Sequence, residues 1–198
     1  MLHKKTPNLP PLTPPANEVT ERILATYDRY LEFNPNLAIL VGSAALALHG
    51  VYVDESDRLD DETQQRPRDL DFAATPLYMS ELLTNGTPTG LPATIANNTY
   101  NQHVLKIETP IMPVDVISRV NEKNNPDLER YSRKFSDYIA KSGQEVDGSN
   151  LRVLSLNAII RELRRTNSIH NSRLHNLKEH KDLTNAMNRK RDLRSLGS

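Results

Sequence analysis

The run Ala38 to Phe72, AILVGSAALALHGVYVDESDRLDDETQQRPRDLDF, constrains this chain more than any other stretch. Ala38 to Val41 are apolar and read as a buried strand; Gly42 and Ser43 form a turn, and Ala44 to His49 a short helix. Asp54 to Gln65 is acidic and lacks an apolar pattern, so it reads as a surface loop longer than most connections. A second strand then carries Asp69 and Asp71. Successive strand residues point to opposite faces, so these two carboxylates aim together while Leu70 and Phe72 turn to the core. Neighbouring carboxylates repel unless a cation lies between them. An oxygen-only set of this kind suits Mg²⁺, which takes one or two carboxylates and completes its shell with water and phosphate oxygens.

A third acid, Asp115, stands in IMPVDVIS between Val114 and Val116. A carboxylate inside an apolar strand is costly unless it is paired or bound to a metal. If its strand neighbours the one bearing Asp69 and Asp71, the three acids converge. Two Mg²⁺ ions about 3.5–4 Å apart in such a cluster would clamp the attacking and leaving oxygens of a phosphoryl displacement. The alternative is a solvated Asp115 at a strand end, or one in a salt bridge with Arg119. Gly42 and Ser43 add to the first reading, since a glycine at a strand-to-helix junction lets the backbone approach a phosphate.

The remaining periodicities supply the frame. Asn17 is a helix cap, and Val19, Ile23, Tyr27 and Leu31 form the apolar stripe of a helix from Glu18 to about Phe33. Thr75-Pro76 opens a short helix to Leu83, and Gly86 to Asn98 reads as loop. Strands follow at about His103 to Glu108 and Ile111 to Ile117. Asn125-Pro126 caps a helix to about Lys141, Gly143 to Asn150 is a turn region, and Leu151 to Leu154 a short strand. Helices from Leu156 to Arg165 and from about Ser172 to Arg191 complete the order. The expected fold class is α/β (α+β), a small mixed sheet flanked by helices with a C-terminal helical segment.

At 198 residues this is one domain or one domain with an appendage, large enough to bury a core without staples. The organisation expected is a flexible Pro-rich arm over residues 1–16, a core over 17–150, and a basic helical region over 151–198 packed on it. There is no Cys, which excludes disulfides and Cys-based zinc sites. Neither a secretory leader nor a membrane span is visible, and the chain reads as soluble and cytoplasmic. The formal net charge of zero conceals a split. Leu151 to Ser198 holds eleven Lys and Arg against four Asp and Glu, a net of +7, and the rest carries −7. A basic tail beside acidic metal ligands suits a polyanionic substrate; a solvated helical face is the plainer account.

The runs LVGSAALALHG, RPRDLDF and PVDVIS together resemble the nucleotidyltransferase superfamily of the DNA polymerase β type, and within it the AbiEii/AbiGii toxin-type group. LRVLSLNAIIREL and HKDLTNAM resemble that group's late strand–helix segment and its Lys-Asp pair, here Lys181 and Asp182. The resemblance implies a nucleotidyltransferase-like fold that moves an NMP from an NTP to a hydroxyl of RNA (tRNA among the options) or protein. It implies that Gly42 and Ser43 hold the triphosphate, and that Asp69, Asp71 and Asp115 ligate Mg²⁺ (or Mn²⁺) as the catalytic acids. Lys181 and Asp182 would bind the nucleotide, and an antitoxin would be a partner. Gln65-Arg66-Pro67-Arg68 departs from the group's Arg-x-Thr or Arg-x-Ser, which supports a second reading: a binding or regulatory protein on the same fold. His170, His175 and His180 recur at steps of about 140° on a helix, so they do not share a face for zinc.

Overall fold

The computed structural model describes residues 9–51, 67, 69–97, 103–118, 127–169 and 173–196, with backbone alone at 97, 103, 166–169, 173–181 and 196. The acidic loop, Arg119, the Asn125-Pro126 cap, most of Gln65 to Arg68 and the three histidines' side chains lie outside the described residues. Among those described, seven strands form one mixed sheet and six helices accompany it. The mixed α/β class is as expected.

Helix α1 (Glu18–Tyr30) starts where Asn17 accepts a hydrogen bond from the Thr20 N–H, and it buries Ile23 and Tyr27. It stops three residues short of expectation because Glu32 adopts a left-handed φ of 45°, turning Phe33 back into the core. Strand β1 (Ala38–Val41) leads directly into α2 (Gly42–Leu48), and β2 (Leu70–Ala74) returns antiparallel beside β1. Asp69 lies in the bend just before β2 rather than on the strand. Helix α3 (Pro76–Asn85) has the expected start: Thr75 caps the Tyr78 N–H and Pro76 occupies the first turn, where a missing N–H costs nothing.

Strands β3 (Thr94–Asn97), β4 (His103–Ile107) and β5 (Val114–Ser118) form an antiparallel run, with β5 parallel to β2. Strand β3 corrects the expectation of a loop. It is an edge strand whose Ile95 is half exposed, so it takes its hydrogen bonds from β4 without needing the buried face that alternation would reveal. Helix α4 (Leu128–Ser142) runs straight into β6 (Gly143–Glu145), which pairs with β7 (Arg152–Leu154). Gly143 reads as a turn residue in sequence. In the fold it permits close passage, because a Cβ there would stand 2.6 Å from both the Ile139 carbonyl and the Arg152 side chain. The sheet order is β3-β4-β5-β2-β1-β7-β6.

Residues 10–13, expected within a mobile arm, are tied to the β6 edge. The Leu12 N–H donates to the Glu145 carbonyl at 2.7 Å, the Asp147 N–H donates to the Leu12 carbonyl at 2.9 Å, and Thr13 bonds Asp147. Helices α5 (Leu156–Ile169) and α6 (Arg173–Leu196) pack on each other, and α6 meets the core through buried Ala186 and half-buried Leu183. Strand β7 opens the segment expected as the C-terminal region, yet it lies inside the sheet beside β1.

The core centres on β1 and β2. Phe72 stacks on Tyr27 (centroids 6.0 Å apart) and meets Phe33 edge-on at 4.9 Å, while Tyr78 closes the group against Phe33. Burying a side chain of this size contributes about 1.5–3 kcal/mol. This anchoring decides which face of β2 is inward.

The far end of α2 is held by His49. Its Nε2 donates to the Leu154 carbonyl at 2.9 Å, and its own carbonyl, left open by the helix end, accepts from Arg189 Nε at 3.1 Å. Burial lowers the imidazole below its ordinary 6.5; the Leu154 carbonyl opposes that shift and the Arg189 charge adds to it. Above about pH 6.5 both folded and unfolded states are neutral and this contribution to stability is complete. As pH falls below that value the unfolded chain takes up the proton first, and stability is lost. Melting temperatures from pH 7 to pH 5 should therefore fall more steeply for the wild type than for His49→Gln; parallel profiles would contradict this assignment.

Candidate functional site

The site forms where β1 ends and β2 begins. Val41 lies opposite Asp71 in the antiparallel pair, and Asp71 lies opposite Asp115 in the parallel pair. Leu70, Phe72, Val114 and Val116 are all buried, so the intervening acids must point to the other face. Both are half-buried, as is Asp69 in the adjoining bend. One carboxylate oxygen from each of Asp69, Asp71 and Asp115 lies within 4.8 Å of the other two. The three acids singled out in the sequence therefore meet.

This donor set fits a small hard cation. Opposite ligands of Mg²⁺ stand about 4.2 Å apart, twice its usual metal–oxygen distance, so a modest rotamer adjustment draws the three oxygens into range. Partial exposure leaves room for the water and phosphate oxygens that Mg²⁺ retains. The same three oxygens would also accept Mn²⁺, a divalent ion of the same oxygen-ligand preference.

Gly42 borders the cluster. Its φ of +69° is left-handed, and a Cβ on it would stand 2.7 Å from Asp71 Oδ2. Glycine is needed here for both conformation and space. Ser43 is half-buried at the next position, and both residues belong to α2 rather than to a separate turn. Asp182 is half-buried on α6, one turn before Ala186, but is not among the acids that meet. The side chain of Lys181 lies outside the described residues.

Lys106 is the site residue that sequence reasoning missed. It stands opposite Asp115 in the β4–β5 pair, and its Nζ lies 3.3 Å from Oδ1 and 3.5 Å from Oδ2 of that carboxylate. The salt bridge weighed for Asp115 with Arg119 is thus found with Lys106. A signal was present: folding KIETPIMPVD about Pro110 and Ile111 brings Lys106 and Asp115 face to face.

Neither a protein-family model nor a curated protein matches the chain. Among solved structures it is similar to an antigenic nucleotidyltransferase-like protein from Paracoccidioides brasiliensis, at 14% identity and a TM-score of 0.45 over 89% of this chain and 77% of that one. It is also similar to the Megavirus polyadenylate synthase, at 11% identity and a TM-score of 0.40, covering 95% of this chain but 37% of that larger protein. The fold and site described above stand on the chain's own strand order and side-chain positions.

Gly42→Ala should lower folding stability by about 1–2 kcal/mol, the cost of forcing an L residue into the left-handed region. It should also push the Asp71 carboxylate out of the cluster. Urea denaturation measures the first effect, and an unchanged midpoint would show that Gly42 is not held as described.

Proposed function

We propose that this chain is a divalent-metal-dependent nucleotidyltransferase, moving a nucleoside monophosphate from an NTP to an acceptor hydroxyl with release of pyrophosphate. The observation that carries this reading is the meeting of Asp69, Asp71 and Asp115 beside Gly42. Such an arrangement brings a metal-ligating cluster next to exposed backbone that can approach a triphosphate.

In this reading Asp69 and Asp71, with Asp115 as the third acid, hold Mg²⁺ or Mn²⁺. The ion, when bound, supplies positive charge to the phosphoryl oxygens and acidifies the attacking hydroxyl. Gly42 and Ser43 seat the triphosphate, Lys181 contacts the nucleotide, and Asp182 orients it. The acceptor oxygen forms a bond to the α-phosphorus as the α–β bridging bond breaks; pyrophosphate leaves, and Asp115 helps draw the acceptor proton away. Catalysis would then rest on positioning and electrostatics rather than on a covalent intermediate.

The net +7 of residues 151–198 favours RNA, tRNA included, as acceptor over a protein hydroxyl. The motif order of the AbiEii/AbiGii group further suggests a toxin–antitoxin component with an antitoxin partner, acting in the cytoplasm. No helix among the described residues is long and apolar enough to cross a membrane.

A second reading, a catalytically degenerate binding or regulatory protein, is favoured by one observation: Asp115 already holds the Lys106 ammonium. Incubation with α-labelled NTP, Mg²⁺ and cell extract separates the two. Transfer of label by the wild type, reduced more than about a hundredfold in Asp71→Asn, is the transferase result, since losing a ligand should exceed the loss of an outer-shell partner. No transfer, or equal transfer by both proteins, gives the second reading.

A further inference from the structure

Lys106 is placed with some care. Its pairing with Asp115 is set by the β4–β5 register, in which Ile107 pairs Val114 and Leu105 pairs Val116 as buried neighbours. The ammonium reaches both oxygens of the carboxylate, at 3.3 and 3.5 Å. Its side chain is 48% exposed while that of Asp115 is 23% exposed, so the cation sits at the rim and the acid further in. A lysine carries a compact charge on a flexible stem, which suits a counter-ion that can be displaced.

The geometry points to Lys106 as a positioning residue that competes with a divalent ion for Asp115. This inference rests on the reading of the three acids as a metal centre. Asp69 and Asp71 are then the standing ligands, and Asp115 is shared. With the ammonium on it, the negative charge of Asp115 is offset; with the ammonium displaced, it becomes a third ligand. The bond to Asp115 is in this view a tuning of metal occupancy rather than a mark of a dead site.

A half-exposed ion pair is a modest interaction, so the competition is measurable but not absolute. The test is Mn²⁺ titration, followed by electron paramagnetic resonance, of the wild-type chain, Lys106→Met, Asp115→Asn and the double variant. Lys106→Met should bind Mn²⁺ about fivefold more tightly, near the upper end for such a pair. That gain should vanish in the Asp115→Asn background, because a competitor has nothing left to compete for. Lys106→Arg, which keeps the charge, should show no gain. Equal gains with and without Asp115 would mean a general surface charge, and no gain would mean no competition; either overturns the inference and leaves the transferase reading standing. Mn²⁺ binding that is absent, or unaffected by Asp71→Asn, overturns the metal centre itself and this inference with it. Lys106 lies half in solvent, and equal melting temperatures for wild type and Lys106→Met establish that both are folded.

Discussion

The parallel register of β2 on β5 is the constraint on which the rest depends. It aligns Asp71 with Asp115 while their neighbours Leu70, Phe72, Val114 and Val116 face the core. A slip of β2 by one residue would bury Asp71 and expose Phe72, exchanging a favourable burial for a desolvated charge. Hydrophobic packing on one face therefore enforces the crowding of acids on the other. The packing of Tyr27, Phe33, Phe72 and Tyr78 on the inner side of β2 for this reason positions the site from the opposite face.

The second requirement is a junction that lets α2 start beside the acids. Gly42 supplies the left-handed turn, and the close approach to Asp71 leaves no room for a side chain. At the other end His49 is tied to β7 and Arg189 of α6 to the carbonyl of His49, so the helix is held at both ends. Helix α6 thus reaches the site indirectly. Its Arg189 and Ala186 fix it to the core, and the turn bearing Asp182 follows from that attachment.

The acids were legible in the sequence because two physical signals coincide at them: charged residues at alternate positions, and apolar residues between. Asp115 was legible for the same reason, though only the strand order could decide whether it met the other two. Lys106 was less legible: its only signal is the symmetry of KIETPIMPVD about Pro110 and Ile111, which acquires meaning once the hairpin register is known. Strand β3 escaped notice because an edge strand needs no buried stripe, and β6 because Gly143 serves close packing in place of a turn. Glu32 gave no warning that α1 would end early. The docking of residues 10–13 on β6 was hidden by proline content, which marks extended backbone but not what that backbone lies against.

Anomalous diffraction from crystals soaked in Mn²⁺ shows whether the carboxylates of β2, of the bend before it and of β5 make one cation site. The expected result is a peak within bonding distance of the Asp69 and Asp71 carboxylates, on the face away from Phe72. A peak elsewhere on the chain, with those carboxylates turned to other partners, would contradict it.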